Sequence, residues 1–444
     1  MSLSERSRQA VWHPCTQMKV HETFPPRAIV AAKGPWLIDH RGDRILDAVS
    51  SWWVNLFGHS PEPIVHAITD QLHTLDHIML AGLTHPPVVE LSERLGQLTG
   101  LGHAFYGSDG ASATEIALKM STHSWRNLGR PEKNEFIGLQ GGYHGETVGA
   151  LSVTDIPLFR QAYAPLLRLS ATLPSPAMQP LQDSIDALAS YLAEHHERTA
   201  ALILEPLVQG AAGMAMYAPE YLVAVRRLCD QYQVHWIADE IAVGFGRTGA
   251  MFAHQQAVDP VSGHVARPDF ICLSKGITGG LLPLSVVLTT DAVYESFWDD
   301  RTAHGFLHSH SYTGNPLACR AALAVLDLFA QRDVLSDNRV SAQRLTELAE
   351  PLTRHGAIRA HRQMGMIWAW DVDTQDPTFS ARYHRVAMEE GVLLRPIGNT
   401  LYFMPPYVLT ESDQAHLVAA SLKALNRVLA EPMEQGGLPG VPMP

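Results

Sequence analysis

An α/β fold is predicted, with a large unit built on a mostly parallel sheet and a smaller α+β unit after it. Three observations predict it. The 444 residues exceed what one small core organises. Hydrophobic residues make up 46% and charged residues 18%, an ordinary globular balance and too apolar for disorder. From about residue 100 to 290, short apolar runs alternate with stretches whose apolar residues keep helical spacing. That alternation implies parallel strands covered by helices on both faces.

In chain order, the first strand is expected at 103–106, before a helix that places Ala113, Ile116, Ala117 and Met120 on one face. Strands follow at 136–139, 201–204, 235–238, 270–273 and 285–288. Leu222, Val225, Leu228, Cys229 and Tyr232 mark the helix that precedes the strand at 235–238. A long helix over 320–331 leaves this core. From about 335 a second unit is expected, with strands at 365–370 and 401–404 and a loose Gly- and Pro-rich tail over 436–444. The organisation is an N-terminal segment (1–50) that serves the small domain and the active site, a large domain (51–331) and a small C-terminal domain (332–444).

The net charge of −12 argues against a nucleic-acid partner, which calls for a basic patch. No run reaches the roughly 18 apolar residues of a spanning helix, and residues 1–8 lack the apolar core of a signal peptide. The four cysteines (Cys15, Cys229, Cys272, Cys319) are scattered, with no CxxC pair, and read as reduced thiols of a cytoplasmic protein. His304, His308 and His310 lie close together, and His13 is near Cys15, but no fourth ligand keeps a regular spacing. No metal is expected.

Parallel sheets hold ligands at the carboxyl ends of their strands. Asp239 and Lys275 both fall there, Asp239 in Ala238-Asp239-Glu240 and Lys275 in Ser274-Lys275-Gly276. Such a pair suits pyridoxal 5′-phosphate. The lysine supplies an amine for a Schiff base, and the aspartate supplies a carboxylate for the pyridine nitrogen. The bland alternatives are a surface lysine and an N-capping aspartate; neither calls for the other nearby. Gly107-Ser108-Asp109-Gly110-Ala111-Ser112 lets a phosphate approach backbone N–H groups at a helix start. Gly141-Gly142-Tyr143-His144-Gly145 is a second small-residue turn, and its Tyr143 is able to stack on a planar ring or to fill the core. The turn from His310 to Pro316 suits phosphate or substrate contact.

With these residues in place, the chain resembles the fold-type I, class III pyridoxal-phosphate aminotransferases over nearly its whole length. The run 238–249 followed by Ser274-Lys275-Gly276 is similar to the class signature. Segments 12–18, 50–53, 393–396 and 404–406 resemble the branch of the class that serves biotin synthesis. The resemblance implies that Lys275 is the catalytic, cofactor-holding lysine and that Asp239 partners the pyridine nitrogen. It implies Gly110 and Ala111 at the phosphate, Tyr143 on the cofactor, and His310 and Ser311 completing the phosphate site from the other subunit of a homodimer. Cys15, Trp52, Trp53, Tyr143, Ser309 and Arg395 would line the substrate pocket beside Lys275, with Arg395 pairing with a carboxylate. Arg247 and Glu146 would be second contacts. The implied reaction is ping-pong amino transfer from S-adenosylmethionine to 8-amino-7-oxononanoate, giving 7,8-diaminononanoate. Lysine as donor, or another class III ω-aminotransferase reaction, are the alternatives. Cys15 stands where many members carry a tyrosine, and Ala111 and Ser311 stand where Ser and Thr are usual. Relatives that use lysine also lack that tyrosine and share Gln17-Met18-Lys19.

Overall fold

The computed structural model describes residues 1–431, so the tail over 436–444 lies outside the described residues. The chain divides into two compact units: Glu62–Leu335, and Met1–Pro61 together with the chain from Ser336 onward.

The unit Glu62–Leu335 is built on a seven-stranded sheet. Its spatial order is His103–Gly107, Ser285–Thr289, Phe270–Leu273, His235–Asp239, Thr199–Leu204, Glu135–Leu139 and Ala171–Leu173. All neighbouring pairs are parallel except those made by Ser285–Thr289, which runs against both of its neighbours. All six residues of Thr199–Leu204 are buried, which is why this strand reads as an unbroken apolar run. The expected strands are present, and the sheet adds Ala171–Leu173 at one edge. Three residues at an edge are too few to show a period.

Helix Gly110–Asn127 lays Ala113, Ile116, Ala117 and Met120 onto Ile203, Ile237, Phe270 and Val287 of the sheet. Each large apolar side chain buried in this way contributes about 1.5–3 kcal/mol. The helix expected at 320–331 begins earlier, at Pro316. Asn315 Oδ1 accepts the N–H groups of Leu317 (3.0 Å) and Ala318 (3.1 Å), and Pro316 takes the first turn, where a missing N–H costs nothing.

The other unit holds a three-stranded antiparallel sheet, Ile358–Met364, Ile367–Val372 and Thr400–Phe403. Its core includes Trp368 and Trp370, whose indole N–H groups are donated to Thr346 (2.8 Å) and Thr353 (2.9 Å). The same unit has a four-stranded sheet that joins the chain's beginning to its later part: Ile29–Lys33, Trp36–Asp39, Arg44–Asp47 and Val392–Leu393. The last pair is parallel, with Asp47 opposite Leu393. Among the described residues, no helix is long and apolar enough to cross a membrane.

Candidate active site

The expected site residues fall into two groups, each within one unit. In Glu62–Leu335, the parallel pairing of His235–Asp239 with Phe270–Leu273 sets Asp239 opposite Cys272. Lys275 follows three residues later, with φ of +44° at the head of the turn Lys275–Thr278. Burial pushes its amine below the ordinary lysine range, and Asp239 and Glu205 pull the other way. Burial is the route by which such a lysine gains a neutral, nucleophilic amine.

Asp239 is 4% exposed and is held from two sides. Oδ1 accepts the N–H of Ile241 at 3.1 Å, and Oδ2 lies 2.7 Å from Nδ1 of His144. A carboxylate only accepts, so Nδ1 carries the proton. His144 is itself fixed by its backbone: its N–H goes to Thr154 Oγ1 (3.0 Å), and its carbonyl accepts from Thr114 Oγ1 (2.8 Å). Glu205 directly follows the strand Thr199–Leu204 and accepts the backbone N–H groups of Tyr143 and Gly210, both at 3.0 Å. Burial pushes the Glu205 carboxyl up to about 7, against the pull of His144.

Tyr143 is half-buried and donates its hydroxyl to Glu146 at 3.0 Å. Asp109 caps helix Gly110–Asn127 by accepting Ser112 N–H at 2.9 Å, and the helix's own ladder starts with Ala113 donating to the Asp109 carbonyl. The ladder therefore does not use the N–H groups of Gly110 and Ala111, the usual anion-binding arrangement at a helix start. The space beside them is tight. A Cβ on Gly145 (φ +118°) would come within 2.6 Å of the Ala111 Cβ, and one on Gly110 would meet Ile241 at 3.1 Å. His310 lies against this turn, its ring 3.3 Å from Ser108 Oγ. Ser309 and Ser311 are exposed, and Arg247 is buried.

In the other unit, Trp52, Trp53, Arg395 and Cys15 are brought together. The Arg395 guanidinium lies 6.0 Å from the centre of the Trp52 ring. Burial lowers its proton affinity, while Tyr402 and Cys15 raise it. Trp53 is 3% exposed and donates its indole N–H to the Tyr402 hydroxyl at 3.2 Å. The turn Ser50–Trp53 that carries both tryptophans is left-handed, with φ of +50°, +45°, +74° and +70° in succession. An L-residue pays roughly 1–2 kcal/mol for this conformation. Four in a row persist only where contacts over-determine them.

Lys275 and Asp239 are legible in the sequence, whereas the placement of His144 and Glu205 beside them is not. Glu205 carried the same signal as Asp239, an acid directly after an apolar strand, in Leu204-Glu205-Pro206. His144 was visible only as a member of a small-residue turn. No group of three or more His, Cys, Asp or Glu residues able to hold a metal is found among the described residues.

The described site fits a planar, phosphate-bearing aldehyde cofactor: a buried amine, a buried carboxylate with an oriented donor, an aromatic side chain, and a helix start whose first residue is glycine. Comparison with known proteins agrees. The family model "Aminotransferase class-III" matches residues 17–426. The chain is 41% identical to the adenosylmethionine-8-amino-7-oxononanoate aminotransferase of Helicobacter pylori, over 96% of this chain and 98% of that protein. It is 38% identical to the protein of the same name from Geobacter sulfurreducens, over 96% and 98%. The crystal structure of that aminotransferase from Methanocaldococcus jannaschii superposes with a TM-score of 0.91 at 34% identity, covering 96% of this chain and 98% of that one. A pyridoxal-phosphate-bound amine transaminase from an uncultivated Pseudomonas species gives 0.87 at 31% identity, covering 94% and 99%. The chain belongs to the class III aminotransferase family.

Proposed function

We propose that this chain is the pyridoxal 5′-phosphate-dependent aminotransferase of biotin biosynthesis that converts 8-amino-7-oxononanoate to 7,8-diaminononanoate with S-adenosylmethionine as amino donor. The single observation that carries the chemistry is the buried Lys275 amine near Asp239, whose carboxylate His144 orients. The names of the relatives supply the substrates.

Bound at this site, the cofactor supplies an aldehyde carbon that carries the amino group and a ring that withdraws electrons. The remaining roles fall to the protein. Asp239 would hold a proton on the pyridine nitrogen. Gly110 and Ala111 would offer backbone N–H groups to the phosphate, and Tyr143 would cover the ring. Lys275 would take the proton from the donor's α-carbon and return it at the cofactor carbon that bears the amino group. In the second half-reaction the same groups act in reverse on the acceptor's ketone. Arg395 pairs with the acceptor's carboxylate, and Trp52 covers its aliphatic chain. Cys15 and Ser309 are further candidate substrate contacts; Trp53 and Arg247, expected among them, are almost wholly buried and would act from behind the pocket wall.

The working form is a homodimer in which Ser311 serves the partner's phosphate site, whereas His310, expected there too, lies against Ser108 of its own chain. The exposure of Leu307 (79%) and Tyr312 (64%), which bracket these two residues, supports it. A second reading keeps the acceptor and makes lysine the donor. Cys15, in place of the tyrosine that the class resemblance implies, favours it.

The test is one assay series with cofactor-loaded enzyme. It offers 8-amino-7-oxononanoate with S-adenosylmethionine or with lysine, and pyruvate with each donor, and it scores diaminononanoate and alanine. Product formed with S-adenosylmethionine supports the proposal. Transfer to pyruvate with none to 8-amino-7-oxononanoate would mark a general ω-aminotransferase instead.

A further inference from the structure

The left-handed turn Ser50–Trp53 needs something to hold it, and one side chain stands out. Asp47 is fully buried. Its Oδ1 accepts the backbone N–H groups of Val49 (3.3 Å) and Ser51 (2.9 Å). Its Oδ2 accepts the Ser51 hydroxyl (2.7 Å) and Nε2 of His59 (3.0 Å). Because His59 donates through Nε2, its Nδ1 is free to accept from Asn55 Nδ2 at 3.1 Å. Four donors thus converge on one carboxylate directly beside four residues in a conformation that side chains disfavour.

The sheet then couples this turn to Arg395. Asp47 is in register with Leu393, and the Ala48 N–H is donated to the Leu393 carbonyl at 3.3 Å. On the far side, Met404 N–H is donated to the Ala48 carbonyl (3.0 Å), and Ser50 Oγ to the Met404 carbonyl (2.7 Å). The turn is pinned at both ends while its second tryptophan reaches Tyr402 and its first reaches Arg395.

We propose that Asp47 is a positioning residue for the acceptor: its carboxylate enforces the left-handed turn that sets the Trp52 ring against the Arg395 guanidinium, and so fixes where a long aliphatic carboxylate is gripped. It touches no substrate itself. The proposal rests on the reading of Trp52 and Arg395 as acceptor contacts. It adds that their spacing is set by a carboxylate on the neighbouring strand.

The experiment compares Asp47→Ala with Asp47→Ala/Ser51→Gly, since glycine adopts positive φ without a Cβ penalty. Asp47→Ala should raise KM for 8-amino-7-oxononanoate at least tenfold while kcat stays within about threefold, because an interaction lost equally from ground and transition states moves KM alone. The added glycine should recover most of that loss. Hydrogen exchange of the Trp53 and Val54 amides, which are donated to the Val49 and Ser50 carbonyls, should speed up in Asp47→Ala and slow again in the double variant. An unchanged KM in Asp47→Ala would overturn the proposal, as would a double variant no better than the single one. Should Asp47→Ala fail to fold, Asp47→Asn takes its place: it keeps an acceptor for one N–H, and a smaller KM rise with the same glycine rescue is expected. Absence of that rise or of that rescue overturns the proposal equally. If the wild type transfers nothing to 8-amino-7-oxononanoate, the functional reading fails, while the exchange data still decide whether Asp47 holds the turn.

Discussion

Nδ1 of His144 lies 2.7 Å from Oδ2 of Asp239, and both side chains are almost wholly buried. The imidazole therefore orients the carboxylate expected to hold the pyridine nitrogen's proton, and it offsets part of the cost of burying that charge. Removing it in His144→Ala takes a charge-assisted hydrogen bond from Asp239, a loss of about 1.5–3 kcal/mol. The expected result is a fall in kcat of roughly tenfold to a hundredfold at saturating cofactor. The pH dependence of the bound cofactor's visible absorption should move as well. An unaltered spectrum with wild-type turnover would show that Asp239 needs no such support.

Lys275→Ala should fold normally and transfer no amino group, because the variant loses the amine that forms the Schiff base and moves the proton at the α-carbon. Asp239→Asn should fold too and lose several orders of magnitude in rate, since an amide cannot hold the ring's proton as a carboxylate does. Steady-state assays beside a thermal melt separate these outcomes from unfolding. Measurable turnover in Lys275→Ala would remove the lysine from its role.

Arg395→Leu removes a partly desolvated guanidinium beside Trp52. A carboxylate left without its partner in such a place costs about 2–5 kcal/mol, so affinity for 8-amino-7-oxononanoate should fall by about thirtyfold to several thousandfold. Arg395→Lys should recover only part, because an ammonium lacks the planar fork. Amines without a carboxylate should be spared, and KM measurements on both substrate kinds check the split.

Glu205 makes a prediction about pH and stability. Its carboxyl is pushed up to about 7 in the fold, above the ordinary unfolded value of about 4.3. In that interval the folded protein binds the extra proton, so this contribution to stability is full below about 4.3 and is lost as pH rises towards 7. Glu205→Gln should abolish that part of the pH dependence. Denaturant unfolding of both proteins between pH 4.5 and 8 should show the variant gaining on the wild type as pH rises. A constant difference would mean that Glu205 titrates as an ordinary glutamate.

Much of this molecule is legible from local sequence. An apolar run that stops at a charged residue marks a strand end wherever it occurs, and Asp239 and Lys275 announce themselves in that way. The face formed by Ala113, Ile116, Ala117 and Met120 is a property of one helix, so its packing could be read before any partner was known. Boundaries were less legible where capping decides them, as at Asn315-Pro316, and the short edge strand Ala171–Leu173 carries no period to detect.

Tertiary structure alone decided the rest. His144 and Asp239 are 95 residues apart, and Asp47 and Leu393 are further apart still; neither pairing leaves a trace in the neighbouring residues. The hand of Ser50–Trp53 is the clearest case. Two serines and two tryptophans have no local preference for positive φ; the nearby Asp47 carboxylate imposes it, and the long-range bonds of Ala48 and Ser50 to Leu393 and Met404 hold that carboxylate's segment in place. Local propensity is written in near neighbours. Register, orientation of a buried carboxylate and tolerated strain are decided by whichever residues the fold brings alongside.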